Sequence, residues 1–174
     1  MKKEHQQINI EIDKLTRSIE NSITGDSFST EIILLEKSDL KTITKKNGWL
    51  FNWNSEYKKP DRDVYKLTIS SNVSIIQGLI SVTEKKDHVF MHLIESAPFN
   101  RGKNKIYLGV PGNLVAFACK ISFHRGFEGY VSFRSKSDLI EHYEKILGAE
   151  HIGGQLMIIN TFAAHKLIDI YFRE

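Results

Sequence analysis

The amino-acid sequence predicts an α+β fold, a mixed and mostly antiparallel sheet flanked by helices. Three observations predict it. The runs Val64 to Ser70, Ile75 to Thr83 and His88 to Glu95 follow one another across turn-like breaks at Ser71-Asn72 and Lys85-Lys86-Asp87, the pattern of antiparallel hairpins. From about Asn113 onward, segments of helical period alternate with short strand-like ones. The chain has 174 residues, 41% of them hydrophobic, enough for one core without disulfide or metal staples, so a single domain over residues 1–174 is expected.

The elements follow in order. From about Glu4 to Ser22, Ile8, Ile12, Leu15, Ile19 and Ile23 recur at spacings of four, three, four and four. That spacing predicts an extra N-terminal helix, with Ile10 as the exception. Phe28 to Glu36 reads as a strand. Ser38-Asp39 opens a short helix that Asn47-Gly48 closes. Trp49 to Asp63, with Trp49, Phe51, Trp53 and Tyr57, reads as an aromatic-anchored loop containing a turn. The three central strands come next, then a loop from Ser96 to Val110 that carries Pro98, Gly102 and Gly109. Pro111-Gly112 leads into a helix to about Arg125, whose apolar positions nearly circle it, so burial on all sides is expected. Tyr130 to Phe133 is a strand. Ser137 caps a helix from Asp138 to Leu147 that Gly148 ends. Gln155 to Asn160 is a last strand. Thr161 to Phe172 has helical spacing and predicts a C-terminal helix in place of a further, last strand, expected to fold back over the sheet edge left open, the alternative being to pack against a second subunit.

Composition narrows the function classes. One cysteine, Cys119, rules out an internal disulfide. The count of 24 Lys+Arg against 21 Asp+Glu leaves +3, too mild to point to nucleic acid. No apolar run is long enough to span a membrane, and the first residues lack the apolar stretch of a signal peptide. A cytoplasmic location is the resulting expectation. The seven histidines show no metal-ligand spacing, so no metal is expected.

The stretch from Glu95 to Arg125 carries the clearest chemical signal. A strand runs into a glycine-bearing loop, and the loop into a helix start, where free N–H groups and the helix dipole favour an anion. Gly109 and Gly112 permit close backbone approach, and Val110, Asn113 and Leu114 complete the turn. Arg101, Lys103 and Lys105 lie upstream, where they could meet further phosphates. An ordinary strand-to-helix connection with a solvated basic loop would show the same pattern. A second constellation is Arg125-Gly126-Phe127-Glu128-Gly129-Tyr130-Val131, followed by His142-Tyr143-Glu144-Lys145-Ile146-Leu147-Gly148-Ala149.

In that order the two motifs resemble the second half of the GCN5-related N-acetyltransferase (GNAT) fold, over roughly Val64 to Asn160. The chain as a whole is similar to divergent bacterial acetyltransferase-like proteins. The family's pyrophosphate signature departs here: Leu108-Gly109-Val110-Pro111-Gly112-Asn113 spaces its glycines more widely and has no Arg or Gln at the expected place. The resemblance implies acetyl-CoA as co-substrate and direct transfer of the acetyl group to a primary amine, on a small molecule or a protein. It places Tyr143 near the CoA sulfur as general acid. It makes His88 to Glu95 the strand whose end splays from its neighbour and lines the thioester, with Glu95 or His92 as candidate proton acceptor. Strict alternation puts Glu95 on the face of Val89, Met91 and Leu93, opposite His92. The alternative is a catalytically degenerate CoA-binding or protein-interaction module of the same fold. A homodimer is compatible with either.

Overall fold

The computed structural model describes residues 7–172. Among these residues seven strands form the main sheet, in the order β3-β4-β5-β6-β8-β10-β9. They are β3 (Thr30–Leu34), β4 (Asp63–Ile69), β5 (Asn72–Glu84), β6 (Val89–Ser96), β8 (Val131–Arg134), β9 (Glu150–Gly153) and β10 (Leu156–Ile159). All neighbours are antiparallel except β6 and β8. A small second sheet joins β1 (Ile19–Asn21) to β2 (Ser27–Phe28) and β7 (Tyr107–Leu108). The helices are α1 (Trp53–Lys58), α2 (Val110–His124), α3 (Ile140–Leu147) and α4 (Thr161–Phe172). The α+β class and the mostly antiparallel sheet expected from the sequence are therefore present.

Two apolar clusters sandwich the sheet. On one face α2, α3 and α4 pack on Val89, Met91, Val131 and Phe133 through Leu114, Ala118, Tyr143, Leu147, Ala164 and Leu167. The nearly all-round apolar α2 is buried accordingly. On the other face Trp49 and Trp53 pack with Leu35, Val64, Leu79 and Leu93. The stretch read as an aromatic loop thus holds a short helix: the Asn52 side chain accepts from the Ser55 N–H at 3.0 Å and starts α1. Glu56 is 1% exposed and fastens α1 to the sheet. Its carboxylate accepts from Ser81 Oγ at 2.7 Å and pairs with Lys59 and Arg62.

Three expectations are corrected. The N-terminal helix is absent over the described part of its span, and Glu4 to Gln6 lie outside the described residues. Residues 7–18 form an extended arm instead, and Ile8 bridges Ser135 in parallel. Ile8, Ile10 and Ile12 point inward while Asn9 and Glu11 are exposed, the period of two of a strand rather than a helix. The chain also has a strand pair after α3. β9 and β10 form a hairpin, so α4 is an addition after them and not a replacement for the last strand. The helix does fold back, but onto α2: Ala163, Ala164 and Leu167 are buried, and the His165 ring lies 4.6 Å from that of Phe123. The third correction concerns β6. Ser81 pairs with Leu93 and Val82 with Met91, so His92 is an extra residue, a β-bulge. The bulge reverses the alternation. Glu95 and His92 share the α1 face of the sheet, and Val89 and Met91 lie on the α2 face.

Candidate active site

The parallel pairing of β6 and β8 is short. It runs Val89 to Val131, Phe90 to Ser132 and Met91 to Phe133, and there it ends. Past that point β6 continues to Ser96 on β5, while β8 and the residues after it pair with the N-terminal arm. The Ile8 N–H donates to the Arg134 carbonyl at 2.7 Å, and the Lys136 N–H donates to the Ile8 carbonyl at 3.1 Å. The bulge at His92 adds local twist where the strands part. The result is a fork between β6 and β8 on the side of the sheet toward α2.

Tyr143 stands at this fork. Its side chain is fully buried, with its ring 5.3 Å from that of Phe133 in an edge-on contact. The hydroxyl donates to the Ile10 carbonyl at 2.6 Å and accepts from the Ile10 N–H at 3.2 Å. Burial pushes its pKa well above the usual tyrosine range, so it is a protonated donor at neutral pH. The neighbouring His142 accepts from the Ile12 N–H through Nε2 at 2.8 Å.

The start of α2 lies farther along the same arm. Gly109 caps the helix at φ +90°, in the left-handed region that glycine enters without strain, and Pro111 sits in the first turn. The Gly109 N–H donates to Asp13 Oδ1 at 3.2 Å, and the other Asp13 oxygen pairs with Lys105 Nζ at 3.3 Å. A carboxylate thus occupies the positive end of the helix. Asn113 Nδ2 donates to Thr16 Oγ1 at 3.2 Å and to the Gly109 carbonyl at 2.6 Å. A Cβ on Gly112 would come within 2.7 Å of Leu15 Cδ2 and 3.2 Å of the Lys14 carbonyl, and one on Gly109 would strike Thr16. The two glycines therefore make room for the arm. Val110 and Leu114 are fully buried and serve the core. An open groove of about 330 Å³ adjoins the fork, lined by Ile10, Glu11, Ser96, Arg101, Lys105 and Pro111 among others.

The remaining sequence-derived candidates lie elsewhere. Glu95 is 2% exposed on the α1 face. Its carboxylate accepts from the N–H groups of Leu50 and Phe51 at 2.7 and 3.3 Å, and from Trp53 Nε1 at 2.7 Å. Arg101 adds a fourth contact at 3.3 Å and also donates to the Gly48 carbonyl. Glu95 and Arg101 thus hold the loop before α1, with the Arg101 guanidinium committed to Glu95 and the Gly48 carbonyl. His92 contacts Thr83 Oγ1 at 2.7 Å. Burial, and then the Arg62 charge, lower its pKa to about 4. Lys103 is exposed in the loop before β7. The fold brings Tyr143, His142, Gly109, Asn113 and Lys105 to the arm, and puts Glu95 and His92 across the sheet from them. Sequence reasoning missed Asp13 and His142. Asp13 carried no signal in a segment read as a helix face, and His142 sits inside the tyrosine motif. Among the described residues no cluster of His, Cys, Asp and Glu could hold a metal ion, and no helix is long and apolar enough to cross a membrane.

No protein-family model matches the sequence, and no curated protein matches it. Solved structures do. A chimera of the Vibrio cholerae spermidine N-acetyltransferase SpeG and hSSAT aligns at 16% identity over 78% of this chain and 98% of its own, with a TM-score of 0.55. A glutamine-substituted form of the Vibrio cholerae spermidine/spermine N-acetyltransferase SpeG aligns at 16% identity over 79% and 98%, with a TM-score of 0.54. A Staphylococcus aureus acetyltransferase of the GNAT family aligns at 10% identity over 76% and 99%, with a TM-score of 0.51. At these identities the likeness is one of fold.

Proposed function

We propose that this chain, which carries the fold of the GNAT acetyltransferases, is an acyl-CoA-dependent N-acyltransferase acting on a primary amine. The observation that carries the reading is the fork between β6 and β8, with the Tyr143 hydroxyl at its base and the α2 start in line with it. The thioester would lie at the fork and the pyrophosphate at the Gly109 turn, facing the positive helix end, with Lys105 beside it. The amine nitrogen attacks the thioester carbonyl carbon and the C–S bond breaks. The sulfur takes the Tyr143 proton and leaves as the thiol, and the proton shed by the amine is returned to the tyrosine. Glu95 keeps the role its contacts support, positioning the loop before α1 and Arg101, and His92 packs in the sheet.

The occupied fork favours a second reading, in which the fold is retained and turnover is lost. One assay on the wild type and a single variant separates the two and tests Tyr143. Tyr143→Phe should lower release of free CoA thiol, assayed with acetyl-CoA and a panel of primary amines, by about 10- to 1,000-fold at saturating acetyl-CoA. Undiminished turnover would assign Tyr143 to packing. Absence of amine-dependent thiol release in the wild type would support the non-catalytic module.

A further inference from the structure

We propose that residues 8–16 are an internal ligand of the acyl-CoA site, an arm that acyl-CoA must displace in order to bind; this rests on the acyl-CoA reading above. The arm holds each place that a thioester, its amide chain and its phosphates would need. At the fork, Ile8 adds to β8 through two backbone hydrogen bonds. At the acid, Ile10 takes both hydrogen bonds of Tyr143, including the only proton its hydroxyl can donate. Between the two sites, Ile12 gives its N–H to His142. At the helix end, Asp13 presents two anionic oxygens, one to the Gly109 N–H and one to Lys105. Beyond it, Thr16 meets Asn113.

The order along the arm is backbone amides first and an anion second. Coenzyme A has the same order, with the amides of its pantetheine arm near the sulfur and the pyrophosphate beyond. The arm is fastened at both ends. Ile8 and Ile12 are 2% and 4% exposed, and Asp13 is the one group among these contacts with a full negative charge. While the arm is in place the Tyr143 proton is committed to Ile10, so no leaving thiolate can take it. The arm therefore blocks binding and chemistry together, and its release restores both. An occupant of this kind lowers apparent affinity by the fraction of molecules whose site is closed.

Amide hydrogen exchange on the full chain, with and without saturating acetyl-CoA, tests the proposal. Binding should speed exchange at Ile10 and Ile12 by about tenfold or more as the arm leaves. In calorimetric titration, Asp13→Ala should tighten acetyl-CoA binding about fivefold or more, because it removes a charge-assisted contact of the closed form only. Binding to Asp13→Ala but not to the wild type would support the arm equally. Acetyl-CoA bound with the Ile10 and Ile12 amides as protected as before would overturn the arm and leave the acyl-CoA reading standing, whatever Asp13→Ala does. Failure of acetyl-CoA to bind either protein would remove the acyl-CoA reading itself, and the arm's role with it.

Discussion

His92 and Tyr143 are both buried and both perturbed, yet burial acts on them with opposite chemical results. Burial and the Arg62 charge disfavour the imidazolium of His92, so the ring is neutral in the folded protein. Burial disfavours the Tyr143 phenolate, so that residue keeps its proton. Cys119, fully buried in α2, is pushed up to about 12 and is a core thiol. The His92 shift has a consequence for stability. The folded pKa of about 4 lies below the ordinary value of 6.5. Between those values the unfolded chain binds more protons, so the stabilisation is fully present above about pH 6.5 and is lost as pH falls toward 4. The full effect is on the order of 3 kcal/mol. His92→Gln, which can keep a hydrogen bond to Thr83, should flatten the decline in unfolding free energy between pH 7 and pH 4 relative to wild type. Denaturant titrations at several pH values measure this, and parallel pH profiles for the two proteins would contradict it.

The C-terminal helix shows how an element earns its place by packing. α4 lies against α2 with Ala163 and Ala164 at the contact and Leu167 3% exposed, while Phe162 remains 69% exposed. Leu167→Ala should cost about 2 to 4 kcal/mol, since α2 is too tightly held to collapse into the cavity. An unchanged urea midpoint would mean that the helix adds little to the core. Elements of this kind were legible in the sequence: the central hairpins, α2, α3 and α4 all announce themselves by period, and α2 and α3 also by the glycines at their ends, Gly109, Gly126 and Gly148. Three features were not, each for a physical reason. The arm has apolar residues whose spacing suits a helix at Ile8, Ile12, Leu15 and Ile19 and a strand at Ile8, Ile10 and Ile12, and only the fork's unpaired edge decides between them. β9 is exposed along its whole length and pairs on one side, so Glu150 to Gly153 lacks an apolar alternation. The bulge at His92 has no signature of its own, and missing it put Glu95 on the wrong face. The candidate site was legible in part for the same reasons. The Gly109 turn and Tyr143 could be found from local motifs, but the partners that meet them, Asp13 and Ile10, are more than ninety residues away in the chain.

Across the whole molecule, the sheet divides two kinds of work. The α1 face is a tryptophan-rich core in which buried carboxylates hold loops in place, with Glu56 bound to Ser81 and its cations and Glu95 bound to Trp53 and the loop before it. The α2 face carries the fork, the Tyr143 hydroxyl and the helix end, and one arm of chain runs across all three. The proposed function requires this fork and helix start to form one acyl-CoA site. The most direct measurement is a titration of the isotope-labelled full chain with acetyl-CoA, followed by backbone amide chemical shifts. The largest changes should fall on Gly109 to Asn113, on the end of β6 near Ser96, and on residues 8–16. Changes confined to the separate cavity lined by His88, Phe127, Tyr130 and Ile158 at the opposite end of β6 and β8, or no changes at saturating acetyl-CoA, would contradict it.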